Sequence, residues 1–405
     1  MKLLRLACVF GFALSPALHA ADDWLDRLDE ALTLSACDGR VRSRLSGLLN
    51  LEGYAFNQPA PGLIFSNDKG LFNARLTLNL DVQIGPYLYL FAQANFDRGF
   101  DPADAGPHLR LDQYALRITP WDDGRFNLQF GKFATVVGAW VARHDAWDNP
   151  FVTAPLPYEH LTAIWGIAAP DDVAEFLGWQ DSEKYLLRPI VWGPSYTTGV
   201  MVSGRIGRFD YAAEIKNASL SSSPSKWDAL RTGFANPTFS ARLGYRPNEM
   251  WNLGISVSDG AYLQPDARSS LPVGRGLGDY RELVLVQDIS FAWHHLQLWA
   301  EVFETRFQVP RVGNADTLAY FIEGKYKLTP QLFAALRWNQ QFFGPIPDGL
   351  GGRIPWGRDI RRVDAALGYR FTAHTQLKLQ YSTQHERSDI RSINHVFAAQ
   401  FTVRF

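Results

Sequence analysis

The chain has 405 residues, of which 46% are hydrophobic and 14% aromatic, and its formal net charge is −1. A near-neutral balance gives no basis for nucleic-acid binding, and no stretch reaches the roughly 18 apolar residues of a helical membrane span. The mean hydropathy is slightly negative, and the only cysteines are Cys8 and Cys37.

Residues 1–20 read as a secretory signal peptide. Lys2 and Arg5 give a basic start, Leu6 to Leu14 an apolar run, and Ser15 to Ala20 a cleavage region, with the cut placed after Ala20. Almost no apolar run precedes Cys8, so it is not read as a lipoprotein cysteine. Cleavage removes Lys2 and Arg5, taking the net charge from −1 to about −3. It also leaves Cys37 alone, which excludes an internal disulfide and a cysteine-based zinc cage. Residues 21–40 predict a short periplasmic helix. Trp24, Leu25, Leu28, Ala31 and Leu32 share one face, with Asp22, Asp23, Asp26, Asp29 and Glu30 mostly opposite. Cys37 is expected to be a buried, inert thiol.

From residue 41 to the end, short amphipathic strands recur. The clearest is Phe72 to Ile84, whose even positions are all apolar and whose odd positions are Asn, Arg, Thr, Asn, Asp and Gln. Such strict alternation is hard to obtain from a helix. Strands are predicted near 41–55, 71–84, 86–96, 110–119, 125–133, 196–206, 208–216, 237–246, 249–259, 280–292, 295–305, 317–328, 331–343, 359–371, 374–386 and 393–405. The last places Phe397, Ala399, Phe401, Val403 and Phe405 on one face and Ala398, Gln400, Thr402 and Arg404 on the other. The connections alternate short and long, the long ones being about 56–70, 97–109, 134–195, 217–236, 260–279, 306–316, 344–358 and 387–392. That rhythm predicts an all-β fold, a transmembrane antiparallel β-barrel of about 16 strands, with short periplasmic turns and longer outer loops. Trp121, Phe126, Tyr245, Trp251, Trp293, Tyr326, Tyr369 and Phe371 sit near turns, as in an interfacial girdle.

The third long connection, 134–195, is by far the longest. It carries Trp140, Trp147, Phe151, Tyr158, Trp165, Trp179, Tyr185 and Trp192, so it is expected to pack rather than to be disordered. Segment 170–179 predicts a short helix, with Pro170 in its first turn and Gly178 at its end. Arg143-His144-Asp145-Ala146-Trp147-Asp148 holds charge but no second His at metal spacing, and Glu159 and His160 lie over ten residues away. The charged groups are expected to tie the loop to the wall, and no metal or cofactor is expected.

In signal peptide, strand number and outsized third loop, the chain resembles a bacterial outer-membrane porin, of the general or phosphate-selective porin O/P type. The terminal Phe405 resembles the signal that such barrels present to their assembly machinery. Phe130-Gly131-Lys132-Phe133 is similar to the Gly-Lys/Arg-Phe segment that ends a strand in several porin families. A dense arginine and lysine series is missing, so the resemblance does not imply phosphate selectivity. It does imply an outer-membrane location among outer-membrane lipids and lipopolysaccharide, a homotrimer, and a third loop (134–195) folded inward as a constriction.

Alternation assigns lumen positions. The basic ones are Arg75, Arg117, Arg242, Arg337, Arg362, Arg370 and Lys378; the acidic ones are Glu52, Asp81, Glu214, Glu282, Asp288, Glu301, Glu323 and Asp364. Arg75, Arg242, Arg337, Arg362 and Lys378 lie near mid-strand and are the first candidates for a constriction, together with Glu214 and Glu301. By the resemblance, loop carboxylates would stand opposite wall arginines, and Asp171, Asp172 and Glu175 are the loop candidates. An inward charge can equally well solvate a wet lumen or pair with its neighbour. Trp140, Trp147 and Trp165 are candidates for stacking on sugar rings, or for packing the loop on itself.

The expected function is passive diffusion of small hydrophilic solutes and ions through a water-filled channel. Alternatives are a channel selective for sugars or organic anions, an outer-membrane lipid hydrolase, and a closed structural barrel. The hydrolase needs an activated nucleophile beside a base. The chain has no Gly-x-Ser-x-Gly elbow, and His294, His295, His374 and His395 fall near turns or strand ends.

Overall fold

The computed structural model describes residues 24–98, 108–121, 123–228, 233–387 and 392–405. The proposed signal peptide lies outside the described residues. One continuous antiparallel sheet of seventeen strands dominates the chain. Sixteen of them form a closed barrel: β1 (Val41–Phe56), β2 (Gly70–Ile84), β3 (Leu88–Asp97), β4 (His108–Ile118), β5 (Asn127–Phe133), β6 (Thr197–Ile206), β7 (Phe209–Lys216), β8 (Thr238–Tyr245), β9 (Trp251–Ala261), β10 (Arg281–Trp293), β11 (Leu296–Val309), β12 (Gly313–Lys327), β13 (Leu332–Phe343), β14 (Ile360–Arg370), β15 (Thr375–Glu386) and β16 (Ser392–Arg404). Each strand pairs with the next, and β16 returns to β1 from Leu48↔Arg404 to Phe56↔Val396. Closure matters because an open edge would leave backbone groups unpaired in lipid.

Alternation produces the two faces. In β12, Ala315, Thr317, Ala319, Phe321 and Glu323 are buried inward, while Leu318, Tyr320, Ile322 and Tyr326 point out. Apolar side chains form the outer wall, as at Ile322 (55% exposed) and Leu336 (60%), which is the face a bilayer would cover. Trp121, Trp251, Trp293, Tyr326 and Tyr369 are exposed toward the short-turn end. No helix among the described residues is long and apolar enough to cross a membrane.

The seam between β1 and β16 is sealed by the last residue. The Phe405 N–H donates to Gly47 O at 3.1 Å and the Gly47 N–H to Phe405 O at 2.9 Å. The Phe405 ring lies where a Cβ on residue 47 would be, 2.4 Å from its nearest ring carbon. A side chain at residue 47 would displace the terminal ring from this place.

Gly131 explains the Phe130-Gly131-Lys132-Phe133 segment physically. Its φ is +137°, and a Cβ there would meet Tyr114 O at 2.2 Å and Ala115 Cα at 2.7 Å. Both contacts are β4 backbone, which cannot step aside. Gly131→Ala is therefore expected to cost about 1–3 kcal/mol and to lower the temperature at which the folded barrel's heat-modifiable gel band disappears. Unchanged melting would show that β4 and β5 tolerate a side chain there.

Three expectations are corrected. Among the described residues the N-terminal helix runs from 24 and ends at 31, short of 40. Thr33–Ala36 is instead a strand pairing with Val41–Arg44, on the edge of β1 that β16 leaves uncovered where it stops. β-branched Thr33 and the alternating Thr-Leu-Ser-Ala run suit that edge better than a helix. Cys37 is exposed, because it lies in the tight turn after this strand with φ of 54°. The sixth long connection is a tight turn, because β11 and β12 run on to Val309 and Gly313, with Arg311 at φ 60°.

Candidate functional site

The outer loops are numbered L1 to L8, and L3 (134–196) enters the barrel. Its short elements are a 3-10 turn at Trp140–Arg143, a helical turn at Leu156–Glu159, a helix at Val173–Gly178 and a two-strand bridge between Thr162–Trp165 and Leu187–Arg188. So little regular structure leaves many backbone groups of L3 without internal partners, and burying them demands partners elsewhere.

The barrel wall supplies those partners. Glu301 accepts the N–H groups of Ala139 (3.1 Å) and Trp140 (2.6 Å) and the Tyr158 hydroxyl (2.7 Å). Glu214 accepts the Thr135 hydroxyl at 2.7 Å. Lys378 donates from one ammonium to Ala146 O, Asn149 O and Phe151 O at 2.8, 2.9 and 3.2 Å. Arg337 donates to Thr153 O and Ala154 O at 3.0 and 3.1 Å and pairs with Asp364 at 2.8 Å and Glu323 at 3.4 Å. Arg362 pairs with Glu159 and donates to Ala154 O at 2.5 Å. The Gln380 side-chain oxygen accepts the Val152 N–H at 2.6 Å. The walls from β7 and from β11 to β15 thus hold L3 by its main chain, while Val137, Trp140, Tyr158, Ile190 and Phe303 form an apolar seal behind it.

L1 is strapped to L3 in the same way. The Lys184 ammonium donates to the carbonyls of Ala60, Gly62 (3.0 Å) and Ile64 (3.1 Å). Leu63 and Ile64 are thereby buried inside the barrel.

The remaining lumen lies on the opposite side, between L3 and β1 to β4. It contains a cavity of about 180 Å³, lined on the wall by Asn50, Arg75, Thr77, Asn95, Asp97, Arg110 and Asp112. L3 contributes Trp140, His144, Asp145, Tyr158 and Tyr196. On the wall, charges alternate in a ladder: Arg75 bridges Glu52 (3.6 Å) and Asp97 (3.1 Å), and Arg110 bridges Asp97 (2.7 Å) and Asp112 (3.3 Å). The carboxylates are almost fully buried, whereas the Arg75 and Arg110 side chains keep 20% and 27% of their surface. Across the gap, the His144 Nδ1–H donates to Val141 O and its Nε2 accepts the Tyr196 hydroxyl, both at 2.6 Å. Burial holds the His144 pKa below its ordinary value, so this ring faces the cavity neutral. Asp145 Oδ1 accepts the N–H groups of Trp147 and Asp148, both at 2.8 Å.

The expected site residues divide accordingly. Arg75 lines the cavity. Glu214, Glu301, Arg337, Arg362 and Lys378 are buried and hold L3. Arg242 pairs with Asp288 at 2.5 Å, away from the cavity lining. Asp171, Asp172 and Glu175 are exposed and do not oppose the wall arginines. Asp172 caps the Val173–Gly178 helix by accepting the Glu175 N–H at 2.8 Å, and Glu175 accepts the Asp171 N–H at 2.5 Å. The three tryptophans pack the loop: Trp140 lies on Tyr158 at 4.6 Å, Trp165 stacks on Trp179 at 4.2 Å, and Trp147 has Arg370 and Arg404 over its ring at 5.0 and 4.1 Å. Of these three rings, only Trp140 also borders the cavity. Asp97, Arg110, Asp112 and Tyr196 were not foreseen, and His144 and Asp145 were expected to tie the loop to the wall rather than to face a cavity. Among the described residues, no group of three His, Cys, Asp or Glu stands close enough to hold a metal ion.

Comparison of the whole architecture with solved structures is informative. The chain is similar to an anion-selective porin from Comamonas acidovorans, with a TM-score of 0.58, 8% identity, and coverage of 90% of this chain and 100% of that one. It is similar to the outer membrane channel DcaP of Acinetobacter baumannii, with a TM-score of 0.58, 10% identity and coverage of 92% and 99%. The trimer form of OmpT, an outer membrane protein of Vibrio cholerae, aligns with a TM-score of 0.53, 11% identity and coverage of 90% and 99%. The fold is that of the outer-membrane porins. No family model and no curated protein sequence matches the chain.

Proposed function

We propose that this chain is an outer-membrane porin that passes small hydrophilic solutes and ions by diffusion between L3 and the β1–β4 wall. The observation that carries this reading is the one-sided anchoring of L3. The main-chain anchors of L3 to the wall are concentrated on β7 and β11–β15, which leaves a polar, charge-lined gap along β1 to β4. Pore size and lining charge set what such a gap admits. Among the described residues of the ladder and the facing loop, two guanidinium groups (Arg75, Arg110) stand against four carboxylates (Glu52, Asp97, Asp112, Asp145), the loop's Glu159 being balanced by Arg362. Two positive and four negative charges leave −2, so the gap favours cations, and its low-dielectric walls focus that field. The anion-selective porin of similar fold is thus expected to differ from this chain in lining charge.

A homotrimer is proposed, supported by the trimer form of the Vibrio cholerae protein of similar fold. A signal peptide at 1–20 and assembly through the Phe405 strand complete the proposal. A sugar-selective channel is the second reading, favoured by Trp140, Tyr158 and Tyr196 along one side of the gap.

Single-channel recording in a planar bilayer under a potassium chloride gradient tests the proposal. Stepwise conductance with a reversal potential of cation sign is expected. Well-folded protein giving no steps would establish the closed structural barrel instead, and a reversal potential of anion sign would overturn the charge assignment.

A further inference from the structure

The carboxylates that line the cavity beside β1 to β4 are not equivalent. They are Asp97, Asp112, Asp145 and Glu159. Arg110 holds Asp97 and Asp112, and Arg362 holds Glu159. Asp145 alone makes no ion pair among the described residues. Its Oδ1 accepts the Trp147 and Asp148 N–H groups, and its Oδ2 makes no hydrogen bond among the described residues. Lys378 and Arg404 reach it electrostatically but do not line the cavity. Both are committed elsewhere, Lys378 to three loop carbonyls and Arg404 to Ala373 O and the Trp147 face.

Beside Asp145, a row of rings borders the same cavity. His144 packs edge-on against Trp140 at 6.1 Å and against Tyr196 at 5.9 Å, and Tyr196 against Trp227 at 5.4 Å. All four rings line the cavity, and Leu63 and Ile64 of L1 close it. His144, kept neutral by burial, adds no positive charge. The volume is about 180 Å³, and an apolar protein cavity of about 150 Å³ accepts one benzene ring. Aromatic faces attract ammonium groups, more strongly where water is excluded. A bare potassium ion brings no apolar body to fill such a space.

We propose that this cavity binds an organic monoammonium ion with an apolar body about one ring in size, its nitrogen at Asp145 and its body among Trp140, Tyr196, Trp227 and the L1 side chains. The inference rests on the reading of this gap as the solute path, and narrows its solutes from cations in general to apolar amines. An apolar acid would face the charge balance of −2 that favours a cation. A neutral sugar would leave the Asp145 charge without a partner.

Calorimetric titration of the folded protein in detergent with phenethylamine is the test. Saturable binding is expected. Three comparison solutes should each bind at least tenfold more weakly: 2-phenylethanol, with the body but no charge; methylammonium, with the charge but no ring; and phenylacetate, with the opposite charge. Asp145→Asn keeps the Oδ1 acceptor and should weaken phenethylamine at least tenfold while leaving 2-phenylethanol unchanged, which also separates the site from uptake into detergent. No saturable binding at millimolar concentration, equal binding of any comparison solute, tighter binding of glucose, or unchanged affinity in Asp145→Asn overturns the proposal. The comparison of solutes needs no variant, so a misfolded Asp145→Asn leaves the test intact. In bilayers, phenethylamine is expected to reduce the potassium conductance. Calorimetric binding without any conductance retains the site and rejects the channel, whereas conductance without binding retains the channel and rejects the site.

Discussion

Arg337→Ala is expected to destabilise the barrel by about 3 kcal/mol or more and to release part of L3. The Arg337 side chain is wholly buried, with ion pairs to Glu323 and Asp364, two loop carbonyls as acceptors, and its guanidinium over the Phe151 ring at 4.2 Å. Removing one partner of a buried ionic network costs about 3–5 kcal/mol, because the charges left behind stay desolvated. Here the cost falls toward the lower figure. Glu323 keeps Arg143 at 2.5 Å, and Asp364 keeps Arg362 at 3.1 Å. Arg337→Lys would keep the charge but lose the fork that serves wall and loop together, so an intermediate loss is expected. Thermal unfolding followed by heat-modifiable gel mobility measures the first effect, and larger, noisier single-channel steps report the second. Wild-type melting and wild-type conductance in Arg337→Ala would show that the wall does not hold the loop.

Asp97→Asn is expected to shift selectivity more than stability. Asp97 receives Arg75 on one side and Arg110 on the other, so its charge sits at the centre of the ladder. Each arginine retains a second carboxylate, Glu52 or Asp112, and the isosteric amide can still accept a hydrogen bond. A unit charge about 8 Å from the ion path, in a medium of effective dielectric about 40, is worth about 1 kcal/mol. Potassium loses that attraction and chloride loses an equal repulsion, which together correspond to about a thirtyfold fall in the potassium-to-chloride permeability ratio. Reversal potentials in a salt gradient measure it, and adding Asp112→Asn should move the ratio further the same way. A ratio unmoved by either change would place the ion path away from β3 and β4.

The strands were legible because period-two alternation is a local property, written in each segment without reference to its neighbours. The loop rhythm added strand direction and closure. The site was less legible, for two physical reasons. Alternation marks Glu301, Arg337, Arg362 and Lys378 as inward but does not reveal that a loop would engage them. That depends on backbone carbonyls and N–H groups, which every sequence has. The second reason lies in the β3–β4 pair, where the register shifts at Gln93/Ala94. Counting back by twos from the inward Arg117 puts Arg110 and Asp112 in lipid. The bulge carries one extra residue, which turns both inward. A single unpaired residue thus hid half of the charge ladder, and its mark in the sequence is a change of apolar phase from Leu109 and Leu111 to Tyr114, Leu116 and Ile118. Cys37 was misplaced for a similar reason, since a helix extended through 40 would have hidden the turn that exposes it.

The docked N-terminal helix has a bearing on the order of events in assembly. Asp26 accepts from His374 Nε2 at 2.8 Å, while His374 Nδ1 bonds to Arg404 O at 2.8 Å. The first partner lies in the N-terminal helix, and the last at the end of β16. This resting place does not exist until β16 has arrived beside β15 and put its final carbonyl in position. Asp29 of the same helix reaches Arg44 of β1 at 2.9 Å, so the helix can rest on the first strand earlier, and only its contact with His374 waits for closure. Its contact with His374 is a timestamp, present in finished barrels and missing from those still waiting for their sixteenth strand.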